Sequence, residues 1–265
     1  MTIVQSNPLN IESDNEGEEF IFENDMIVYD TAGNDENSLP DVIENVIRLW
    51  KRNGTEVIIP YTFPEDLTSH QQEQIQKAFR EFHTKTCIVF KERENETDYV
   101  HIDPVNYPLS CRSTVGRKGG KQILRSGNCK VNDEFHYGPL LHELMHVVGF
   151  VHEHTRNDRD EYIKVDFEAI KMFEKDEGWP NGTWASQFKL CNTTRIGRRW
   201  GCKVLNPYDL NSITHYPDVI GENNPRRIIF NKTSCGENGC NIGQRLHLSS
   251  LDVADIEKLY GCSLN

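Results

Sequence analysis

The segment HELMHVVGFVH, residues 142–152, constrains this chain more than any other. His142 and His146 are four residues apart, so on a helix both imidazoles leave the same face and can bind one small cation. Gly149 can adopt a positive φ, which ends the helix and lets the chain turn so that His152 becomes a third ligand. Three imidazole nitrogens plus one open position are typical of a catalytic zinc site. We therefore expect one Zn²⁺ per chain, held by these three histidines.

Two neighbours of these ligands also matter. Glu143 follows the first histidine directly, so it projects beside the metal rather than onto it. A carboxylate in that position can act as general base toward the attacking water. His154 lies two residues beyond His152 and could compete with it as third ligand. The spacing of the motif favours His152, and we expect His154 to be a polar wall residue.

The longer stretch HELMHVVGFVHEHTRNDRD, residues 142–160, resembles the signature of the astacin family of zinc metallopeptidases, within the metzincin group. The resemblance continues in the family's order through IPYTF (59–63), TCIVF (86–90), SCRSTVGR (110–117), IGQR (242–245) and LYGC (259–262). It covers most of residues 41–265. It implies a zinc-dependent endopeptidase that hydrolyses protein or peptide substrates, with Glu143 as general base.

The resemblance implies an α+β fold with a two-lobed, metzincin-like catalytic domain. A twisted, mostly parallel sheet and helices would form the N-terminal lobe, and the C-terminal lobe would be loop-rich. Apolar periodicity agrees, since it predicts helices at 69–82 and 252–260 and strands at 57–59, 86–90 and 99–102. Ser69 with Gln72 and Ser249 are the expected helix caps. After residue 162, glycines and prolines predict loops. The resemblance implies that an extended substrate adds a strand to the sheet edge, for which residues 111–117 are the candidate.

Ser-Ile-Thr-His-Tyr at 212–216 resembles a second family landmark, a tight turn with a methionine beneath the metal and a tyrosine two residues later. Thr214 stands in place of the methionine, so the site loses apolar bulk and gains a hydroxyl that needs a partner. This leaves open a zinc-binding, weakly active or non-catalytic protein on the same scaffold, and more remotely a zinc hydrolase of non-peptide substrates. The retained Glu143 favours the peptidase. By resemblance, Tyr216 stabilises the oxyanion of the tetrahedral intermediate; its alternative is a packed surface tyrosine.

Residues 1–40 contain ten of the 41 acidic residues and no Lys or Arg. Such a composition is typical of a solvated, disordered tail. However, Phe22-Glu23-Asn24-Asp25 resembles the family's prosegment motif, which implies that Asp25 caps the zinc and displaces the catalytic water. Asn24 replaces the motif's glycine and tolerates a left-handed backbone. We expect a zymogen with an acidic prosegment at 1–40 and a peptidase domain at 41–265.

The boundary between prosegment and peptidase domain falls between residues 38 and 52. Lys51-Arg52 is a basic site for an activating protease, whereas the position of Trp50 relative to mature family N-termini favours a cut near Asp41. By resemblance, the new N-terminus pairs through water with Glu153. The alternative for Glu153 is an ion pair with Arg156.

Eight cysteines without a CxxC pair favour disulfides and hence an oxidising compartment. The resemblance implies the bridges Cys87–Cys262 and Cys111–Cys129, and short spacing favours Cys191–Cys202 and Cys235–Cys240. Five glycosylation sequons support secretion, at Asn53, Asn95, Asn181, Asn192 and Asn231. The opening MTIVQSNPLNIES lacks the basic start and apolar core of a signal peptide, so we expect either a removed signal or unconventional export. Three residues follow Cys262, and we expect no accessory module.

The expected partners are protein or peptide substrates and an activating protease. By resemblance, a basic side chain holds an acidic residue just after the scissile bond, and Arg226, Arg227 and Lys232 are the candidates; solvated loop charges are their alternative role. The net charge of −12 and the lack of a basic stripe with interleaved aromatics argue against nucleic acid. No apolar run is long enough to span a bilayer, and we expect a monomer.

Overall fold

The computed structural model describes residues 19–22, 26–29, 49–104, 111–127, 129–131, 134–191, 194–195, 198–199, 204–220, 227–232 and 241–262. Several predictions fall outside these residues, namely those for Asp25, Asn192, Cys202, Arg226, Cys235 and Cys240. Arg227, Asn231 and Lys232 lie on described strands, but their side chains fall outside the description.

The main sheet is mostly parallel, as predicted. Its strands are β3 (Arg52–Asn53), β4 (Glu56–Thr62), β5 (Ile88–Glu92), β6 (Tyr99–Asp103) and β8 (Lys121–Arg125). Strand β4 pairs in parallel with β5 and β6, β6 pairs in parallel with β8, and β3 is antiparallel to β4. The three predicted strands are therefore present, with ends shifted by at most three residues.

The described helices are α1 (Ser69–Lys85), α2 (Tyr137–Val148), α3 (Phe167–Asp176) and α4 (Ser250–Tyr260). The predicted cap of α1 was wrong by one residue, because Thr68 rather than Ser69 caps the helix, with Gln71 completing a capping box. Ser249 caps α4 as predicted. Helix α3 was not predicted; it begins where Asp166 accepts a hydrogen bond from Ala169 N at 2.9 Å.

Two separate hydrophobic cores correspond to the two predicted lobes. The first lies among the sheet, α1, α2 and α4 and includes Ile59, Phe82 and Ile256. The second includes Phe188 and Phe230 and belongs to the loop-rich part of the chain. This part contains α3 and short antiparallel pairs, formed by β11 (Ile163–Val165), β12 (Thr194–Arg195), β13 (Arg198–Arg199), β14 (Val219–Ile220), β15 (Arg227–Ile228) and β16 (Phe230–Lys232).

Two disulfides expected from the resemblance are confirmed. Cys87 and Cys262 are bridged with Cα atoms 6.3 Å apart, which joins the start of β5 to the chain just after α4. Cys111 and Cys129 are bridged with Cα atoms 4.9 Å apart. Cys191 is also disulfide-bonded. Its predicted partner lies outside the described residues.

The edge of the main sheet carries further strands. Arg112 bridges antiparallel to Arg125 on β8, with hydrogen bonds of 3.0 and 2.8 Å between their backbones. The next residues form β7 (Ser113–Thr114), which pairs in parallel with β2 (Met26–Tyr29). Strand β2 is in turn antiparallel to β1 (Glu19–Phe22). An N-terminal hairpin thus occupies the edge at residues 113–114 where substrate was expected.

A two-stranded pair of β9 (Lys130–Val131) and β10 (Glu134–Phe135) leads into α2. Within the described part of the chain, no helix is both long enough and apolar enough to cross a membrane.

Candidate metal centre and active site

Helix α2 carries the metal-binding motif through the interior of the first core. Its N-cap is His136, whose Nδ1 accepts a hydrogen bond from Gly138 N at 3.1 Å. The helix is apolar apart from the motif residues, and its side chains from Leu140 to Val148 are buried. A helix buried all round is held by packing rather than by its own propensity. This fixes the positions of the ligands that α2 presents.

The end of α2 is defined by Gly149, which adopts φ 120° and ψ 8°. Its amide donates to His146 O at 2.8 Å, and Phe150 N donates to Met145 O at 3.0 Å. A residue with a Cβ rarely adopts such a φ. The predicted sharp turn is therefore present, and it leads the chain back toward the site at His152.

Side chains from distant parts of the chain satisfy the last carbonyls of α2. Trp50 Nε1 donates to Val147 O at 2.8 Å, and the Tyr260 hydroxyl donates to Val148 O at 2.6 Å. The final carbonyls of a helix have no partner within it, so a buried helix end needs such donors. These two contacts fix the end of the zinc helix. Sequence reasoning missed both of them.

The three predicted ligands meet at one point. The Nε2 atoms of His142 and His152 are 3.2 Å apart, and those of His146 and His142 are 3.1 Å apart. All three side chains are buried. His142 Nδ1 lies 2.8 Å from Ile213 O, and His146 Nδ1 lies 2.7 Å from Phe150 O. Because a carbonyl only accepts, these Nδ1 atoms carry the hydrogen and the Nε2 atoms present lone pairs.

This donor set fits zinc. Lone pairs so close together in a buried site repel one another unless a cation lies between them. With Zn–N distances of about 2.0–2.1 Å, a tetrahedral ion places its nitrogens about 3.3 Å apart, close to the observed separations. His142, His146 and His152 therefore form a zinc-binding triad.

Glu143 is buried beside the triad and contacts the sheet edge. Ser113 Oγ lies 2.8 Å from Glu143 Oε2 and 2.9 Å from its backbone oxygen. Both residues are at most 1% exposed. A hydroxyl on one carboxylate oxygen limits the rotation of the carboxylate. Ser113 lies in the segment SCRSTVGR, residues 110–117, but nothing in the sequence predicted this contact.

The turn at 212–216 contacts the triad through Ile213. Ile213 belongs to the first core and supplies the carbonyl bonded to His142. Thr214 is 2% exposed, and its hydroxyl lies 2.9 Å from Ser212 Oγ. The hydroxyl that replaces the family's methionine thus has the partner that burial requires.

Tyr216 lies against the triad and packs on the second core. Its ring centroid is 4.4 Å from that of His152 and 4.2 Å from that of His154. The Tyr216 hydroxyl donates to Gln187 Oε1 at 3.1 Å. Gln187 is 2% exposed, and no sequence signal pointed to it.

His154 is a wall residue, as predicted, and not part of the triad. It is fully buried, and its Nε2 lies 3.2 Å from Gln187 O. Its Nδ1 has no hydrogen-bond partner among the described residues. Burial lowers the pKa of His154 well below its ordinary value.

His215 holds the backbone of the neighbouring tyrosine. Its Nδ1 donates to Tyr216 O at 2.7 Å, so its Nε2 accepts from the Tyr208 hydroxyl at 2.8 Å. Burial lowers the pKa of His215 to about 4, so the ring is neutral at physiological pH. Burial also raises the pKa of the Tyr208 phenol.

Glu153 makes the ion pair that the sequence left as an alternative. Its Oε1 accepts from Arg156 Nη1 and from Asp209 N, both at 2.8 Å. Burial raises the pKa of Glu153, whereas the charge of Arg156 lowers it and favours the ionised carboxylate of this pair. The predicted pairing of Glu153 with a mature N-terminus stays a prediction.

Comparisons with known proteins agree with this geometry. Residues 42–261 match the family model described as Astacin, a peptidase family. The chain is 35% identical over 226 residues to zinc metalloproteinase nas-4 of Caenorhabditis elegans, covering 84% of this chain and 62% of that protein. It is 31% identical over 217 residues to low choriolytic enzyme of Oryzias latipes, covering 80% of this chain and 69% of that protein.

Among solved structures, high choriolytic enzyme 1, a hatching enzyme zinc-protease from Oryzias latipes, is similar to this chain with a TM-score of 0.63 and 31% identity. The alignment covers 81% of this chain and 95% of that one. The family match covers most of the chain and contains the zinc-binding triad, Glu143 and the turn beneath them. This chain therefore belongs to the astacin family of peptidases.

Proposed function

We propose that this chain is a secreted zinc-dependent endopeptidase in its zymogen form, which hydrolyses peptide bonds in protein or peptide substrates. The observation that carries the proposal is the convergence of three buried imidazoles beside the buried carboxylate of Glu143. The Nε2 atom of His142 lies 3.2 Å from that of His152 and 3.1 Å from that of His146. When bound there, Zn²⁺ supplies a Lewis acid that polarises the scissile carbonyl and lowers the pKa of water.

Glu143 is the general base of the proposed reaction. Its carboxylate accepts a proton from the attacking water as the oxygen–carbon bond forms, and delivers it to the leaving nitrogen as the carbon–nitrogen bond breaks. Ser113 Oγ contacts Oε2 at 2.8 Å and so limits the rotation of the carboxylate that performs this proton transfer.

Tyr216 is the proposed donor to the oxyanion that develops on the substrate carbonyl. Its ring lies beside His152, and its hydroxyl is bonded to Gln187 at 3.1 Å. A phenol so close to the site can exchange that partner for the oxyanion, where a donor strengthens as charge develops.

The N-terminal hairpin supports the zymogen proposal. Met26 is in register with Ser113, and Ser113 contacts Glu143. Asp25, the proposed latch on the zinc, directly precedes Met26 in the chain. Strand β2 also takes up the backbone hydrogen-bonding groups of β7 that an added substrate strand would use. Removal of residues 1–40 by an activating protease, with the cut between residues 38 and 52, would free this edge.

Activation would also create a new N-terminus. We assign Glu153 as its partner, since the buried carboxylate already accepts from Arg156 and a backbone amide. An amino group near this carboxylate would add positive charge at a site where burial now raises the pKa.

Secretion is supported by the disulfides and by the exposure of the described sequons. Asn53, Asn95 and Asn181 are all exposed, so each is accessible for glycosylation. Arg226, Arg227 and Lys232 remain the proposed candidates for binding an acidic residue after the scissile bond. The alternative, a zinc-binding protein without catalytic activity, loses support because the Thr214 hydroxyl is hydrogen-bonded within a buried turn.

The test is cleavage of a diverse peptide mixture after removal of the prosegment. Wild-type protein should cut, and the cutting should stop on chelation and return when zinc is added back. Glu143→Ala should bind zinc without cutting, because the ligands remain and the base is gone. Glu94→Ala, at an exposed position on the same domain, is the matched control and should cut like wild type. Equal cutting by Glu143→Ala and wild type would refute the mechanism.

A further inference from the structure

Beneath the zinc ligands, buried side chains tie the turn at Ile213 to the first turn of α4. Ile213 N donates to Asp252 Oδ2 at 3.0 Å, and Ser212 Oγ donates to Asp252 Oδ1 at 2.7 Å. Thr214 Oγ1 lies 2.9 Å from Ser212 Oγ. We call Ser212, Thr214 and Asp252 the polar clamp, and each is at most 3% exposed.

The Ser212 hydroxyl uses all of its hydrogen-bonding capacity in these contacts. A serine hydroxyl has one hydrogen and two lone pairs. The hydrogen is directed at Asp252, and Thr214 N donates to one lone pair at 3.1 Å. The second lone pair therefore accepts from the Thr214 hydroxyl. Because an unpaired buried hydroxyl costs free energy, removing the hydroxyl of either Ser212 or Thr214 destabilises the position of the other.

Asp252 anchors the polar clamp as a carboxylate. It accepts from Ser212, from Ile213 N and from Ser249 N, the last at 2.9 Å. Burial raises the pKa of Asp252 to about 6, which still leaves it ionised at neutral pH. Hydrogen bonds to an ionised acceptor are stronger than those between neutral groups.

The polar clamp acts on a residue that touches a zinc ligand. Asp252 holds the amide of Ile213, and the carbonyl of Ile213 accepts from His142 Nδ1 at 2.8 Å. That hydrogen bond fixes both the tautomer and the ring orientation of His142, and so the direction of its Nε2 lone pair.

We propose that the polar clamp positions the zinc ligand His142. Thr214, which stands where the family usually has methionine, contributes to this positioning through its hydroxyl. The inference deepens the proposed function, because it rests on the same zinc site. It does not depend on cleavage of any substrate. The three side chains of the clamp are positioning residues that act through Ile213.

A merely structural role makes a different prediction. Asp252 also completes the capping box of α4 with Ser249, so its loss would destabilise the helix in any case. If the cap were its only task, replacing a clamp residue would lower stability and leave zinc affinity unchanged. Zinc affinity and stability must therefore be measured on the same variants.

The experiment compares three clamp variants with a cap variant in the full chain. Ser212→Ala removes the central hydroxyl, Asp252→Asn removes the charge, and Thr214→Val removes a hydroxyl with little change of volume. Thr68→Ala is the matched control, since Thr68 caps α1 in the same kind of capping box. The measurements are the zinc dissociation constant by chelator competition, the visible spectrum of the cobalt-substituted protein, and the melting temperature.

The proposal predicts that Ser212→Ala and Asp252→Asn raise the zinc dissociation constant by about tenfold, the lower end of the effect of losing a direct partner of a ligand, because the Ile213 carbonyl remains but is no longer held in place. Thr214→Val should raise it by a smaller factor, about fivefold, because it removes one hydrogen bond of the clamp and leaves Asp252 on Ile213 N. The cobalt spectrum should change, because it reports the orientation of His142. Thr68→Ala should lower the melting temperature without changing zinc affinity or spectrum.

Zinc affinity within about twofold of wild type in the clamp variants, with an unchanged cobalt spectrum, would overturn the proposal, since a twofold change lies far below the effect of a lost ligand partner. If Asp252→Asn does not fold, Ser212→Ala and Thr214→Val decide, because both leave the carboxylate of Asp252 in place. A wild-type protein that binds zinc but cuts no peptide would refute the proposed function and leave the clamp proposal standing.

Discussion

The hydroxyl of Tyr260 provides a direct test of how the end of the zinc helix is held. It donates to Val148 O at 2.6 Å, and Val148 is fully buried while Tyr260 is 8% exposed. Tyr260→Phe removes one oxygen atom and leaves that buried carbonyl without this donor. An unsatisfied buried acceptor costs about 1–3 kcal/mol, so the free energy of unfolding should fall by that amount.

The matched control is Tyr137→Phe. The Tyr137 hydroxyl also donates to a backbone carbonyl, that of Leu246, but at an exposed position where water can replace it. A surface substitution of this kind should change stability by about 0.5 kcal/mol or less. Equilibrium urea unfolding at a fixed, saturating zinc concentration compares the two variants, since a bound ligand adds to the stability of the folded state.

The expected result is a loss for Tyr260→Phe that exceeds the loss for Tyr137→Phe by about 1 kcal/mol or more, which corresponds to a difference in melting temperature of about 2–4 °C. Equal losses for the two variants would refute the reasoning, because they would show that burial of the Val148 carbonyl adds nothing to the energy of this hydrogen bond.

Three further predictions concern the site and its frame. Ser113→Ala removes the hydroxyl that contacts Glu143, the proposed general base. It should lower kcat by about 10–100-fold with little change in KM, because the carboxylate loses a hydrogen bond worth about 1.5–3 kcal/mol. Steady-state kinetics measure this effect. Gly149→Ala places a Cβ at φ 120°, so unfolding should show a loss of about 1–3 kcal/mol, and zinc release to a chelator should accelerate. Replacing Cys87 and Cys262 by serine removes the bridge that closes a loop of 175 residues. From the entropy that such a loop adds to the unfolded chain, the free energy of unfolding should fall by about 5 kcal/mol, and a measured loss below about 2 kcal/mol would contradict this reasoning.

The zinc-binding triad could be predicted from sequence because its chemistry depends on short spacings. His142 and His146 share a helix face, and Gly149 supplies the turn that returns His152 to the site. Strands β4, β5 and β6 were also predictable, since they contain short runs of β-branched and aromatic residues. These features are set by local sequence, so they could be recognised without tertiary information. Strands β3 and β8 were not predicted.

Other features depend on residues that are distant in the chain. The contacts of Ser113 with Glu143, and of Gln187 with Tyr216, join residues about 30 positions apart. No local pattern marks a serine or glutamine for such a contact. Asp252 did carry a local signal, but that signal indicates a helix cap and not a contact with the turn beneath the metal.

Two errors have local causes. The capping signals Thr68/Gln71 and Ser69/Gln72 are offset by one residue, and the helix uses the first pair. Helix α3 was not predicted, because the glycines and prolines in this part of the chain favour loops. Its cap at Asp166 and the buried Ile170 and Glu174 were the available signals.

We propose that one zinc ion bound by His142, His146 and His152 makes this chain a peptidase. The most direct test adds Zn²⁺ stepwise to the metal-free chain after prosegment removal and measures peptide cleavage at each step. The rate of peptide cleavage should rise linearly up to one equivalent of zinc per chain and then stay constant. The His146→Ala variant should show no such rise. Full occupancy by one zinc ion without cleavage would contradict it.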